Sequence, residues 1–382
     1  MCELFLGITG GSVDSFAVCS DRTGTTLSIC RSGPVALHRY AGLDSQENLR
    51  SLNEGIAEDL GTNFATFQEA VTKAVFAVAG VNSPYDEYEA KKLLVASGWK
   101  TNHVDATEIL DYAEAVLIAG NSAAPGVSIV NNVGSAICAA PKSPLRQARS
   151  TFKVGGWGPF VGDFASAFDI GFRLLRHRLL SSVDGEDKRS GICRFVSDAA
   201  GIESVENLLI WFDSLWDSTG PPDWRLKIAE IGLKTLDHIV NSNHIEYKNE
   251  LKTLLDIPIK ILVKLTHSVI KNKFICDLDS VQFVKVVMSG TTFDICPDLR
   301  LWISQRICSL PGCCIQCKLP DFNAPLGSCI ASRWLQCQCE TDLAEWLSRI
   351  RQKIGTLEEE KRTLLLSKGA GEMISSSQEP PQ

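Results

Sequence analysis

The stretch from Gly155 to Gly171, GGWGPFVGDFASAFDIG, constrains the fold of this chain more than any other. Its glycines make a turn where the backbone can approach a ligand with no Cβ in the way. Asp163 follows at the head of FASAFDIGFRLLRHRLL, whose apolar positions recur at helical spacing. A glycine-rich loop opening a helix, with an acid at its mouth, predicts a ligand site. The plainer alternative is a glycine turn with Asp163 as a helix cap.

Length and composition narrow the rest. At 382 residues the chain is long for one core and suits two domains. With 45% hydrophobic and 22% charged residues it reads as globular. A net charge of −7 gives no basic footprint, so nucleic acid is not an expected partner. Residues 1–20 carry Gly, Asp and Ser where a signal peptide needs an apolar run. No apolar run reaches the roughly eighteen residues of a membrane span, so no membrane contact and a cytoplasmic location are expected. The 14 cysteines are scattered except for Cys313, Cys314, Cys317, Cys337 and Cys339. That late group loosely imitates a zinc ribbon, but the intervening LGSCIASRWLQ reads as a packed helix, so no metal site is assigned and free thiols are expected.

Along the chain, ELFLGIT and FAVCS predict two strands of a hairpin, with Gly10 and Gly11 at its tip. Tandem amides at such a tip form an anion-binding concavity, although a plain glycine turn fits the local pattern equally. AVFAVAGV (74–81) reads as a buried strand, and Ser83 caps the helix that follows. VDATEILDYAEAVLIAGNS predicts an Ala-rich, closely packed helix with Asp111 at its start, where an acid favours the helix dipole. Residues 125–140 predict strand, tight turn and strand, with Asn132, Val133, Gly134 and Ser135 at the turn. Residues 172–275 are helix-rich. A strand then ends at Ser289-Gly290, and Pro297 opens another helix.

These pieces resemble, in order, the motifs of the BadF/BadG/BcrA/BcrD ATPase family, which includes the N-acetylglucosamine kinases. The match covers residues 4–336 and is closest at Gly155, Gly156, Trp157, Gly158, Gly162, Asp163 and Ser166. The resemblance implies an α/β, two-domain actin-like ATPase fold (the fold of sugar kinases and actin) with a helical insertion. It places an N-terminal domain at 1–120 and a C-terminal domain at 121–322, with the insertion at 172–275. A helix at 323–340 returns to the first domain. It implies ATP and Mg²⁺ as cofactors and an amino sugar as substrate. Asp111 would be the base for the sugar hydroxyl, and Ser135, Gly156, Trp157, Gly158 and Asp163 would hold the sugar. ATP would lie against Gly10, Gly11, Ser12, Val13, Val133, Gly134 and Gly290.

The chain departs from the family pattern at several of these motifs. Thr9 stands where the family has an acid that orients hydrated Mg²⁺, and Val13 and Val133 stand where it has Thr. Asn132, Phe164, Ala165 and Leu110 replace Gly, Glu, Gly and Asn or Thr. Losing transition-state electrostatics costs orders of magnitude in rate, so the rival expectation is a non-catalytic sugar- or nucleotide-binding regulatory protein on the same fold. Beyond the resemblance, 341–368 predicts a helix with a stripe at Leu343, Leu347, Ile350, Ile354, Leu357 and Leu364. The stripe predicts docking on the body or self-association into a homodimer. Residues 369–382 read as a disordered tail.

Overall fold

The computed structural model describes residues 3–37, 44–142, 151–183, 185, 190–202, 204–216, 224–242, 244–274, 282–311, 313–334, 340–354, 359 and 373–374. The first sheet is built from β1 (Leu4–Gly10), β2 (Ser15–Asp21), β3 (Thr26–Ser32), β4 (Val71–Val78) and β5 (Glu108–Asp111). Its order is β3-β2-β1-β4-β5: an antiparallel meander of three strands, then two parallel additions. All of β1 is buried, as its near-continuous apolar run requires. Helices α1 (Ser45–Asp59) and α2 (Phe64–Ala70) lead from β3 to β4, and α3 (Pro84–Ala96) and α4 (Thr101–Ala106) lead from β4 to β5. Ser83 caps α3 as expected, accepting from the Asp86 amide at 3.3 Å.

The same topology then recurs. Following α5 (Tyr112–Gly120), strands β6 (Gly126–Asn131), β7 (Ser135–Ala140) and β8 (Phe152–Gly155) form a second antiparallel meander. Among the described residues, six helices intervene: α6 (Ala167–Val183), α7 (Gly191–Ala200), α8 (Val205–Trp216), α9 (Trp224–Asn241), α10 (Ile245–Leu254) and α11 (Asp256–Phe274). Then β9 (Gln282–Ser289) and, beyond α12 (Thr291–Ile295) and α13 (Pro297–Cys308), β10 (Cys313–Lys318) add in parallel. The order β8-β7-β6-β9-β10 repeats that of the first sheet. One fold unit has been used twice.

The two sheets meet across α5 and α14 (Ala324–Trp334). Every residue of α5 from Ala115 to Gly120 is buried, as expected of a helix that is apolar all round. Its contact with α14 depends on Gly327, where an added Cβ would lie 2.0 Å from the Ala115 carbonyl oxygen. Gly7 does the same for β1, where a Cβ would lie 2.1 Å from the Cys329 amide nitrogen. In the helical segment, α6 and α9 cross at Gly171 and Gly232 in the same way.

Two boundaries differ from the sequence reading, and the expected end of the C-terminal helix at 368 lies outside the described residues. The strand expected at 74–81 is β4 at Val71–Val78, because Val71 already pairs with Leu4. The expected tail includes a two-residue strand, β11 (Met373–Ile374), paired with Lys318 and Cys317. The expected C-terminal helix is α15 (Glu340–Ile354), while Leu357, Leu364, Cys337 and Cys339 lie outside the described residues.

The stripe of α15 is used inside the chain. Leu343, Trp346, Ile350 and Ile354 are buried in one cluster with Val18, Ile29, Phe322 and Leu326. Trp346 Nε1 donates to the Asp21 carbonyl oxygen at 3.5 Å, and Lys353 Nζ donates to Thr23 Oγ1 at 3.2 Å. Because this stripe packs on the chain's own body, Ile350→Val is expected to cost about 1 kcal/mol. A fall in the urea midpoint that does not depend on protein concentration would confirm intramolecular docking. Among the described residues, no helix is long and apolar enough to cross a membrane.

Candidate functional site

A cleft of about 270 Å³ opens where the C-terminal edge of the first sheet faces the β6–β8 meander. Strand β5 delivers Asp111 to that edge, beside Val78 of β4. Ligands of open α/β sheets collect at such carboxyl ends. Asp111 is also the N-cap of α5. Its Oδ1 accepts from the Ala113 amide at 2.9 Å, and its own amide donates to Glu114 Oε2 at 2.9 Å, completing a capping box. The second carboxylate oxygen faces the cleft and meets Lys153 Nζ at 2.5 Å. Lys153 comes from β8 and crosses Gly156, where a Cβ would lie 3.1 Å from its Cε.

The opposite wall is the Gly155–Ser166 loop. Gly155, Gly156 and Gly158 have φ of +83°, +65° and +92°, so these glycines serve the turn itself. Asp163 and Ala165 adopt left-handed backbone at φ +56° and +59° without that freedom. Helix α6 begins at Ala167, so Asp163 is not its cap. Asp163 is instead buried and holds the second meander in place. Its Oδ1 accepts from the Ser135 amide at 3.1 Å, and its Oδ2 pairs with Arg225 Nη2 at 2.7 Å. Burial pushes the Asp163 carboxyl above its ordinary value, opposed by the Arg225 charge. Gly134 makes room for this pair, since a Cβ there would lie 2.6 Å from Arg225 Nη2 and 2.8 Å from Asp163 Oδ1. Trp157 stands half exposed at the cleft mouth.

Of the residues expected from the sequence, Asp111, Ser135, Gly156, Trp157, Gly158, Asp163, Gly11, Ser12 and Gly134 line this one cleft. Gly10, Val13, Val133 and Gly290 do not. A Cβ on Gly10 would lie 2.5 Å from the Val35 carbonyl oxygen, so its α-carbon faces the chain's own backbone. Val13 is 59% exposed, and Val133 is buried in the apolar core. Gly290 lies against Asn131 and Asn132, with Asn132 Oδ1 accepting from the Thr291 amide at 2.8 Å. Thr9 is also turned away, its Oγ1 lying 2.9 Å from Ser328 Oγ on α14.

Sequence reasoning missed Lys153 and Arg225, two cations that line the cleft. It also missed Tyr112, whose phenol is pushed up to about 12 by burial and hydrogen-bonds with the Asn132 side chain. Burial likewise raises the Glu114 carboxyl, against hydrogen bonds from Thr151 and the Asp111 amide. The folded state therefore holds this proton longer than the unfolded state does. The stabilisation is present at acid pH and lost as pH rises through the folded value. Glu114→Gln is expected to flatten that loss, so urea midpoints at about pH 4.5 and pH 7 should differ less than in the parent. Among the described residues, no group of three His, Cys, Asp or Glu side chains is placed to hold a metal ion.

No protein-family model matches the chain. It is 25% identical over 219 residues to the N-acetyl-D-glucosamine kinase of Dictyostelium discoideum, covering 55% of this chain and 64% of that one, less than two-thirds of its length. It is 24% identical over 241 residues to an N-acetylmuramic acid/N-acetylglucosamine kinase of Clostridium acetobutylicum, covering 63% of this chain and 71% of that protein. Among solved structures, a putative N-acetylglucosamine kinase of Chromobacterium violaceum superposes with a TM-score of 0.61 at 17% identity, covering 86% of this chain and 99% of its own. Its counterpart from Porphyromonas gingivalis gives 0.59 at 14% identity, covering 87% and 100%. The fold, with its duplicated sheet, is the mixed α/β actin-like ATPase fold that the sequence led us to expect.

Proposed function

We propose that the cleft binds an amino sugar, of the N-acetylated hexosamine class, and phosphorylates it at the expense of ATP. The observation that carries this reading is the convergence of Asp111, Ser135, Gly156, Trp157, Gly158 and Asp163 on one cleft. The relatives named as kinases of N-acetylated sugars support it. ATP, when bound, supplies the phosphoryl group. The chain's own task is then positioning and charge stabilisation. Asp111 accepts the proton of the sugar hydroxyl, which a carboxylate within hydrogen-bond reach can do. Its two-point hold, on the Ala113 amide and on Lys153, fixes the direction of the accepting oxygen. Trp157 offers its exposed ring face to the apolar side of a pyranose. Gly11, Ser12 and Gly134, with the Lys153 and Arg225 cations, fit the phosphates of a nucleotide. The residues do not fit Mg²⁺ at the first loop, because Thr9 brings no carboxylate there and its hydroxyl is bonded to Ser328.

That misfit favours a second reading, sugar binding without transfer. Calorimetry with N-acetylglucosamine and related sugars, alongside an ATP-dependent phosphorylation assay, separates the two. Binding with transfer supports the kinase. Binding with no transfer supports the second reading, and no binding of any amino sugar overturns both.

A further inference from the structure

Cys308 closes α13, and Cys317 lies in the neighbouring strand β10. Their sulfurs face each other at 3.7 Å, and Cys308 Sγ also lies 3.5 Å from the Ile315 carbonyl oxygen. Side chains alternate along a strand, so Cys313, Ile315 and Cys317 share the face that meets α13, while Cys314 points the other way. Burial follows that alternation: Cys317 is fully buried, Cys308 and Cys313 are intermediate, and Cys314 is exposed. The partly exposed thiol of the pair is also the more acidic. The hydrogen bond between the two sulfurs lowers the Cys308 thiol, while that same contact and burial raise Cys317. An accessible, acidic sulfur with a second sulfur in contact behind it is the arrangement of an oxidisable pair.

We propose that Cys308 and Cys317 are an oxidation site at which a peroxide closes a disulfide between α13 and β10. The Cys308 sulfur attacks one peroxide oxygen. The O–O bond breaks, hydroxide leaves to become water, and Cys308 becomes a sulfenic acid. The Cys317 sulfur then attacks the Cys308 sulfur, and the hydroxyl departs as a second water with the Cys317 proton. Two thiols lose two electrons and two protons, and the peroxide is reduced. For the bond to form, the sulfurs must approach from 3.7 Å to about 2.05 Å. The bond would fix α13 to the sheet. This inference is independent of the sugar-kinase reading.

The test uses the full chain treated with hydrogen peroxide, alkylated and mapped by peptide mass. A Cys308–Cys317 cross-link two hydrogens lighter than the reduced peptides is expected, with Cys314 still open to alkylation. In Cys317→Ser, a dimedone adduct should accumulate on Cys308 instead. Should that variant fail to fold, the parent still decides, since peroxide must protect Cys308 and Cys317 from later alkylation together. Persistence of the Cys308 thiol, or a cross-link from Cys308 to Cys313 or Cys314, overturns the proposal.

Discussion

Asp111→Asn is expected to lower turnover with an N-acetylated amino sugar by about 100-fold or more, while sugar binding changes little. Asparagine is nearly isosteric and can still cap α5 through the Ala113 amide, so the fold should survive. What it lacks is the ability to take a proton. It also leaves Lys153, 18% exposed at its side chain, without the carboxylate it now meets at 2.5 Å. The relevant measurements are steady-state phosphorylation and calorimetric sugar affinity on the same preparation. Equal turnover in parent and variant would remove Asp111 from the chemistry. Loss of sugar affinity with unchanged turnover at saturation would recast it as a binding group.

The second large effect is on stability. Arg225→Met keeps most of the apolar stem but strips the charge that faces Asp163, whose side chain is 1% exposed. Breaking a buried pair from one side costs about 3–5 kcal/mol, because the remaining charge is left desolvated. The Ser135 amide still donates to Asp163, so the expected loss lies toward the lower end. Urea unfolding at neutral pH measures it. Adding Asp163→Asn should recover part of the loss, since the orphaned charge is then gone, and the double-mutant cycle isolates the pair. If Arg225→Met alone unfolds at the parent's midpoint, the pair does not hold the cleft wall.

These two residues also mark the limit of what the sequence discloses. Asp111 and the Gly155–Asp163 loop are legible because their signals are local: an acid heading an Ala-rich helix, and glycines spaced for a turn. The Ser83 cap and the buried β1 are legible for the same reason. Strands β5, β8 and β10 were missed because each is short, with only four to six residues and no clean alternation of apolar positions. Lys153 and Arg225 carry no local mark. Each pairs with an acid 42 or 62 residues away, and only the folding of β8 onto β7 and of α9 onto α6 brings those charges together. The sequence alone determined the fold class and which side chains are present. Tertiary packing decided where those side chains point: Thr9 toward Ser328, Asn132 toward Thr291, Val133 into the core, and Asp163 onto Arg225. A loop's residue types fix its backbone options, whereas the partner of a polar side chain is set by whatever the fold desolvates beside it.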